Sequence, residues 1–261
     1  MVINVKALHT NAFVKPFTVV LWRFFLNEIV KEDFVLLKSK SGINAFLIRA
    51  QVKAMVICIS LLSMNYLAHA YLSFNNPEIL AGNMISDYIK GKKQFDYPPV
   101  VQKGIKLHRA IDHFTDTHAA TQELKSFFRP QYRLYSGAFA DVVYDHFLAN
   151  DTLQFGTEND LQEFAVATYE LLDDFTGIFP PGFQKIFPYM KQYDWLSNYR
   201  HTWGIEKSFA GLVRRAAYLT ESEKAFEIFN THYAGMQICY NTFFPDIKKY
   251  SFNQLGELLN S

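Results

Sequence analysis

An all-α fold, a single globular helical domain, is what this 261-residue sequence predicts, and three observations carry the expectation. From Met64 onward apolar residues recur three and four positions apart, the repeat of one helix face. Residues that start and stop helices bracket these stretches. No stretch alternates apolar and polar residues as a half-buried strand would, and no internal repeat, Gly/Ser linker or low-complexity tract interrupts the chain.

The elements follow in order. "NNPEILAGNMISDYIKG" has Asn76 to cap a helix, Pro77 at its first position, where a missing N–H costs nothing, and Gly91 just past its end. "VVQKGIKLHRAIDHFTDTH" places Gly104, Leu107, Ile111 and Phe114 on one stripe. "YSGAFADVVYDHFLAND" predicts a helix from near Ser136. "TENDLQEFAVATYELLDDF" opens on a Thr157 cap and repeats apolar positions at Leu161, Phe164, Ala165, Leu171 and Leu172, with Thr168 between them. "FPPGF" breaks the chain at Pro180 and Pro181. "TESEKAFEIFNTHYAGMQICYNTFF" opens on a capping box from Thr220 to Glu223, and Pro245 is expected to end it.

Composition bounds the rest. The chain is 49% hydrophobic and 16% aromatic, ample material for a core, and its net charge of +1 provides no global field for nucleic acid. Cys58 and Cys239 have no metal-site spacing, and so few thiols suit a reducing, cytoplasmic interior better than a disulfide scaffold. Residues 1–63 carry 8 Lys/Arg against 3 Asp/Glu, whereas residues 64–261 carry 18 against 22. The first segment reads as an extension, or as sequence upstream of a start at Met64. Residues 54–74 contain no charge, but their most apolar part, "AMVICISLLSM", is too short to cross a bilayer, so no stable membrane insertion is expected.

Polar groups recur at four-residue steps inside the oily helices. His108, Asp112 and Asp116 form one line, Asp141 and Asp145 a second with His146 beside it, and Asn83 and Asp87 a third. His69 stands in the otherwise apolar "NYLAHAYLSF". Each piece alone has a plain reading: a core histidine with a hydrogen bond, a solvated acidic face, or an ion pair of Arg109 with Asp112 or Asp116. Together they are harder to bury without compensation, because like charges in a core are costly. A divalent cation removes that cost. Mixed His and carboxylate ligands suit Mn²⁺, Mg²⁺, Fe²⁺ or Zn²⁺, and the oxygen-rich share leans to Mn²⁺ or Mg²⁺. The matching chemistry is hydrolysis of a phosphate ester. Three function classes stay open on the residues alone: a phosphodiesterase, a phosphohydrolase acting on a nucleotide or other small ester, and a non-catalytic helical binding protein whose polar lines are ion pairs. "KGKK" (Lys90, Lys92, Lys93) and "VRR" (Arg214, Arg215) read most simply as solvated helix ends. His113, His118, His201 and His232 lack partners at useful spacing.

"MNYLAHAYLSF", "LAGNMISDYIKG", "GIKLHRAIDHFTDTH" and "DVVYDHFLAND", in this order, resemble the acyl carrier protein phosphodiesterase family, a divergent branch of the HD-type metal phosphohydrolases. "YDWLSNYR" (Tyr193–Arg200) is similar as well, and the resemblance runs from residue 64 to about 250. It implies an HD-like helical fold, a divalent metal that is most simply Mn²⁺ (Mg²⁺ or Fe²⁺ as alternatives), and holo acyl carrier protein as partner and substrate. Loss of 4′-phosphopantetheine would give apo carrier protein. By position it implies an essential Asp87 and carries His69, His108, Arg109, Asp112, Asp116, Asp141, Asp145 and His146 into the site. On this basis His69, Asp87, His108, Asp112 and Asp145 are expected to ligate metal, with Asn83 and His146 supporting them from behind. Asp87 is expected to be catalytic as well as a ligand, Asp116 or Asp141 to handle protons or orient a ligand histidine, Arg109 to meet phosphate, and Lys90, Lys92 and Lys93 to dock the acidic carrier. One departure stands out: the local orders are "DH" at Asp112–His113 and Asp145–His146, not the His-Asp doublet of HD enzymes.

Overall fold

The computed structural model describes residues 66–216 and 219–261. The expectations for residues 1–63 and for a start at Met64 lie outside them. Among the described residues the chain forms eleven α-helices and no strand: α1 Tyr66–Tyr71, α2 Pro77–Ile85, α3 Pro99–Thr117, α4 Ala119–Tyr132, α5 Ser136–Ala149, α6 Glu158–Asp173, α7 Pro181–Gln192, α8 Trp195–Asn198, α9 Thr202–Arg215, α10 Glu223–Thr231 and α11 Tyr233–Asn260. No helix among them is long and apolar enough to cross a membrane.

Helix α5 is the centre of the fold. Residues 138–140 and 142–149 are all buried, the signature of a helix surrounded by others rather than lying on a surface. It packs against α1, α4, α9 and α11. The rings of Phe128, Phe139 and Phe209 meet across three of these helices at centroid distances of 5.1–5.9 Å.

Helices α2 and α3 cross at backbone contact. A Cβ on Gly82 would lie 2.1 Å from the Val101 carbonyl oxygen, and one on Gly104 would lie 2.4 Å from that of Ile79. Only glycine fits either position. This closeness brings the last turn of α2 against the middle of α3, where the candidate ligands stand.

Several boundaries differ from expectation. Asn76 does cap α2, its side chain accepting from the Ile79 amide at 3.1 Å. The helix ends at Ile85, however, and the chain tightens into 3₁₀ turns at Ser86–Tyr88 and Gly91–Asp96. Gly91, with φ of +57°, makes the turn between them. Thr157 caps α6 in a reciprocal box with Asp160. At α10 the cap is Ser222, whose amide donates to Glu223 at 3.1 Å, so Thr220 lies outside the helix. The long C-terminal stretch breaks at His232 and then runs through Pro245 to Asn260. Proline removes one ladder bond, but Asn241 and Pro245 are both exposed, so water can satisfy the freed carbonyl. Buried Tyr240, Phe243, Phe244, Ile247 and Leu255 hold the helix on both sides of the proline. Helices α1, α4, α7, α8 and α9 had no counterpart among the predicted elements.

Candidate metal centre

Three helices converge on one cluster. Helix α1 brings His69, the end of α2 and the turn after it bring Asn83 and Asp87, and α3 brings His108 and Asp112. The two imidazoles stack with centroids 3.9 Å apart and planes 16° apart. Asn83 sits behind both: its Oδ1 is 2.7 Å from His69 Nδ1 and 3.2 Å from His108 Nδ1. Its Nδ2 donates to the His69 carbonyl at 2.9 Å and to Ser73 Oγ at 3.0 Å, and Ser73 Oγ donates to the same carbonyl at 2.8 Å.

The opposite edges of the rings face carboxylates. His69 Nε2 is 3.3 Å from Asp112 Oδ1, and His108 Nε2 is 3.2 Å from both Asp112 Oδ2 and Asp87 Oδ1. Burial pulls His108 down, but Asp112 and Asp87 outweigh it and leave its pKa well above the ordinary histidine range. Burial, with His108 beside it, lowers His69. Burial pushes Asp112 up, yet the two imidazoles leave it well below the usual carboxylate range.

His69, His108 and Asp112 each offer one ligand atom, and these atoms lie within 4.8 Å of one another, close enough to share an ion. His69 Nε2 is buried, and its 3.3 Å approach to Asp112 Oδ1 is not aligned as a hydrogen bond. An orphaned lone pair aimed at a second imidazole and a carboxylate fits a divalent metal better than it fits a packed core. The cluster is closed behind the rings and open at the carboxylates: His69 is 2% exposed, whereas the Asp112 side chain is 39% exposed.

The other expected residues stand elsewhere. Asp145 was expected among the ligands, but its two oxygens accept from the backbone amides of Leu67 at 3.1 Å and Ala68 at 2.8 Å. It caps the open start of α1 from the central helix and so fixes His69 at one remove. Burial raises its pKa well above the usual range, the two amides opposing. His146 faces the Tyr199 carbonyl and the Tyr233 hydroxyl at 2.8 and 3.1 Å, within an aromatic layer. Asp116 takes an ion pair from the nearly buried Lys125 at 2.5 Å, with its own side chain 70% exposed. Asp141 is half-buried on the central helix α5 and is not among the clustered ligands. Arg109 spends its fork on the chain itself, donating to Gln94 Oε1 at 2.7 Å and the Ile89 carbonyl at 3.2 Å. Lys90, Lys92 and Lys93 are exposed on the segment that follows Asp87. His118, expected to lack a partner, caps α4 through Ala120.

Sequence reasoning passed over Ser73, although it follows His69 by the same four-residue step. It also passed over Tyr66 and Tyr88, whose hydroxyls are 3.1 Å apart next to Asp87. Burial raises Tyr66, with Tyr88 and Asp87 adding to the shift and Arg215 opposing it, so the "VRR" end of α9 acts electrostatically at this edge of the site.

The Asp145 anchor has a measurable consequence. Asp145→Ala leaves the buried Leu67 amide and the half-buried Ala68 amide without an acceptor and should cost about 2 kcal/mol. Urea denaturation would check this, with Asp145→Asn losing less because its amide oxygen still accepts. Unchanged stability of Asp145→Ala would show that the cap contributes nothing.

The family profile described as acyl carrier protein phosphodiesterase matches residues 64–247. A Klebsiella pneumoniae subsp. pneumoniae protein of that name is 30% identical over 191 residues, covering 73% of this chain and 99% of the relative. One from an Enterobacter species is 31% identical, covering 70% and 94%, and one from Yersinia pestis is 30% identical, covering 71% and 96%. No solved structure matches the chain.

Proposed function

The chain belongs to the acyl carrier protein phosphodiesterase family, and from that membership we propose that it hydrolyses the phosphodiester of holo acyl carrier protein, releasing 4′-phosphopantetheine and apo carrier protein. The observation that carries the chemistry is the orphaned His69 Nε2 facing His108 and Asp112. These three residues would hold a divalent ion, Mn²⁺ by the ligand mixture, with Asp87 at its edge. When bound, the ion would polarise a phosphoryl oxygen and acidify water.

The chain's own residues supply the remaining roles. Asn83 fixes both imidazoles from behind. Asp87, 3.2 Å from His108 Nε2 and 15% exposed, is placed to take the proton of the water that attacks phosphorus. The bond between phosphorus and the seryl oxygen breaks, and that oxygen leaves with the proton that Asp87 took from the water. Lys90, Lys92 and Lys93 offer positive charge to an acidic carrier. Arg109 and Asp116 take no part in the chemistry on this reading, since the chain itself occupies them. The reaction belongs to the cytoplasm, where acyl carrier protein is used.

Intact-mass measurement of holo carrier protein incubated with the enzyme and Mn²⁺ tests the reading. The phosphopantetheine mass should disappear with wild type and persist with Asp87→Ala. A metal-loaded wild type that leaves the carrier intact would overturn the substrate and turn attention to small phosphate esters. A wild type that binds no metal would overturn the chemistry.

A further inference from the structure

Immediately after Asp87 the chain makes a segment with an unusual combination of properties. Gly91–Asp96, a 3₁₀ stretch, has no buried residue, so no core packing holds it. Side chains hold it instead. Arg109 grips both its start and its middle, through the Ile89 carbonyl and Gln94. Gln102 Nε2 donates to the Tyr97 carbonyl at 2.7 Å and holds the far end. Ile89, 5% exposed, pins the near end into the core. Both braces come from α3, and Arg109 adjoins His108 in sequence, so the segment is fixed to the turn that carries the candidate ligands.

The braced segment presents two chemistries. Lys90, Lys92 and Lys93 are exposed cations, with Asp96 as the one acidic residue in Gly91–Asp96. Among them Phe95 is 61% exposed. A lone exposed apolar residue is ordinary. An aromatic ring set among three lysines, on a scaffold held in place by an arginine fork, is the composition of an interface anchor with a charged rim. Three residues of extended chain reach about 11 Å at most, so Lys90 cannot be far from Asp87.

We infer that residues 89–97 form a preformed docking platform for the carrier protein, with Phe95 as the apolar anchor and Arg109 as the residue that positions it. The inference rests on the carrier reading above and deepens it. Charge selects the occupant: an acidic surface with an apolar ridge, which the lysines steer and Phe95 fills. Arg109 acts through Gln94 and Ile89 and touches no reacting atom. A lysine in its place could hold one of the two acceptors but not both in a planar fork.

The test separates docking from chemistry by measuring binding of apo carrier protein, the proposed product, without turnover. Titration calorimetry at low salt would compare wild type, Phe95→Ala, Arg109→Lys and the Lys90→Glu/Lys92→Glu/Lys93→Glu triple variant. Burial of one phenyl ring corresponds to about a tenfold loss of affinity or more for Phe95→Ala. The triple variant should lose affinity at low salt and approach wild type at high salt. Arg109→Lys should raise KM for holo carrier more than it lowers kcat, at unchanged Tm. Unchanged affinity of Phe95→Ala overturns the platform even where wild type cleaves the carrier. A wild type that binds apo carrier through these residues but does not cleave it keeps the platform and removes the proposed reaction. Absence of any carrier binding by wild type overturns the platform.

Discussion

Asp112→Asn should abolish activity while leaving the protein folded. Asp112 faces both imidazoles, at 3.3 Å from His69 Nε2 and 3.2 Å from His108 Nε2, and is the only carboxylate in the three-residue group whose ligand atoms can share an ion. The amide keeps the shape but removes the charge that would balance a divalent cation. Loss of metal-borne stabilisation in phosphoryl chemistry is worth several kcal/mol, about a thousandfold in kcat/KM or more. The amide fills the same space and opens no cavity, but the charge that His108 faces is lost, so Tm should fall modestly while the protein stays folded. Two readouts are needed: Mn²⁺ affinity by calorimetry, and holo-carrier cleavage. Full Mn²⁺ affinity in this variant would show that the ion, if any, binds elsewhere and that the cluster is an ion-pair network.

The second large effect is in the backbone. Gly82→Ala should destabilise the protein strongly and weaken metal binding with it. The new Cβ would meet the Val101 carbonyl oxygen at 2.1 Å, Gly104 Cα at 2.9 Å and the Ile105 amide nitrogen at 2.9 Å. All three are backbone atoms, so no side chain can turn aside and the two helices must separate. Overpacking of this kind costs about 3 kcal/mol, about 10 °C in Tm for a domain of this size. The site suffers as well, because Asn83 and Asp87 ride on one side of the crossing and His108 and Asp112 on the other. Gly104→Ala meets the Ile79 carbonyl oxygen at 2.4 Å and should behave alike. The double variant should cost less than the sum, since one separation relieves both clashes. Wild-type Tm in Gly82→Ala would mean that the crossing is looser than described.

Much of the site was visible in the sequence because four-residue spacing is a local property. His108 and Asp112, or Asn83 and Asp87, declare themselves on one face before any tertiary contact is known. Which face meets which is not local. Asp145 has the same spacing as the others, yet it points to the amides of Leu67 and Ala68, because the central helix passes the first turn of α1. Arg109 reads like a phosphate ligand until the exposed 3₁₀ segment beside it is seen to need its donors. Gly104 looked like one more small residue on an apolar stripe; its reason is the backbone of α2, which belongs to a different part of the chain. The boundaries that failed did so for similar reasons. Pro245 stops helices in general, but not one whose freed carbonyl meets water and whose two halves are both packed.

Asn83 settles a question that neither imidazole settles for itself. Its amide cannot be turned around, since Nδ2 is committed to the His69 carbonyl and the Ser73 hydroxyl, and Oδ1 can only accept. Both Nδ1 atoms near that oxygen must therefore carry hydrogen, so each neutral ring is of the Nδ1–H tautomer, its lone pair on Nε2. One uncharged carboxamide thus selects the tautomer that either histidine takes when neutral and turns both Nε2 atoms to the same carboxylate edge, where a cation would displace the proton that Asp112 and Asp87 favour on His108. The direction in which the cluster can capture a cation is set by a hydrogen-bond acceptor that never touches it.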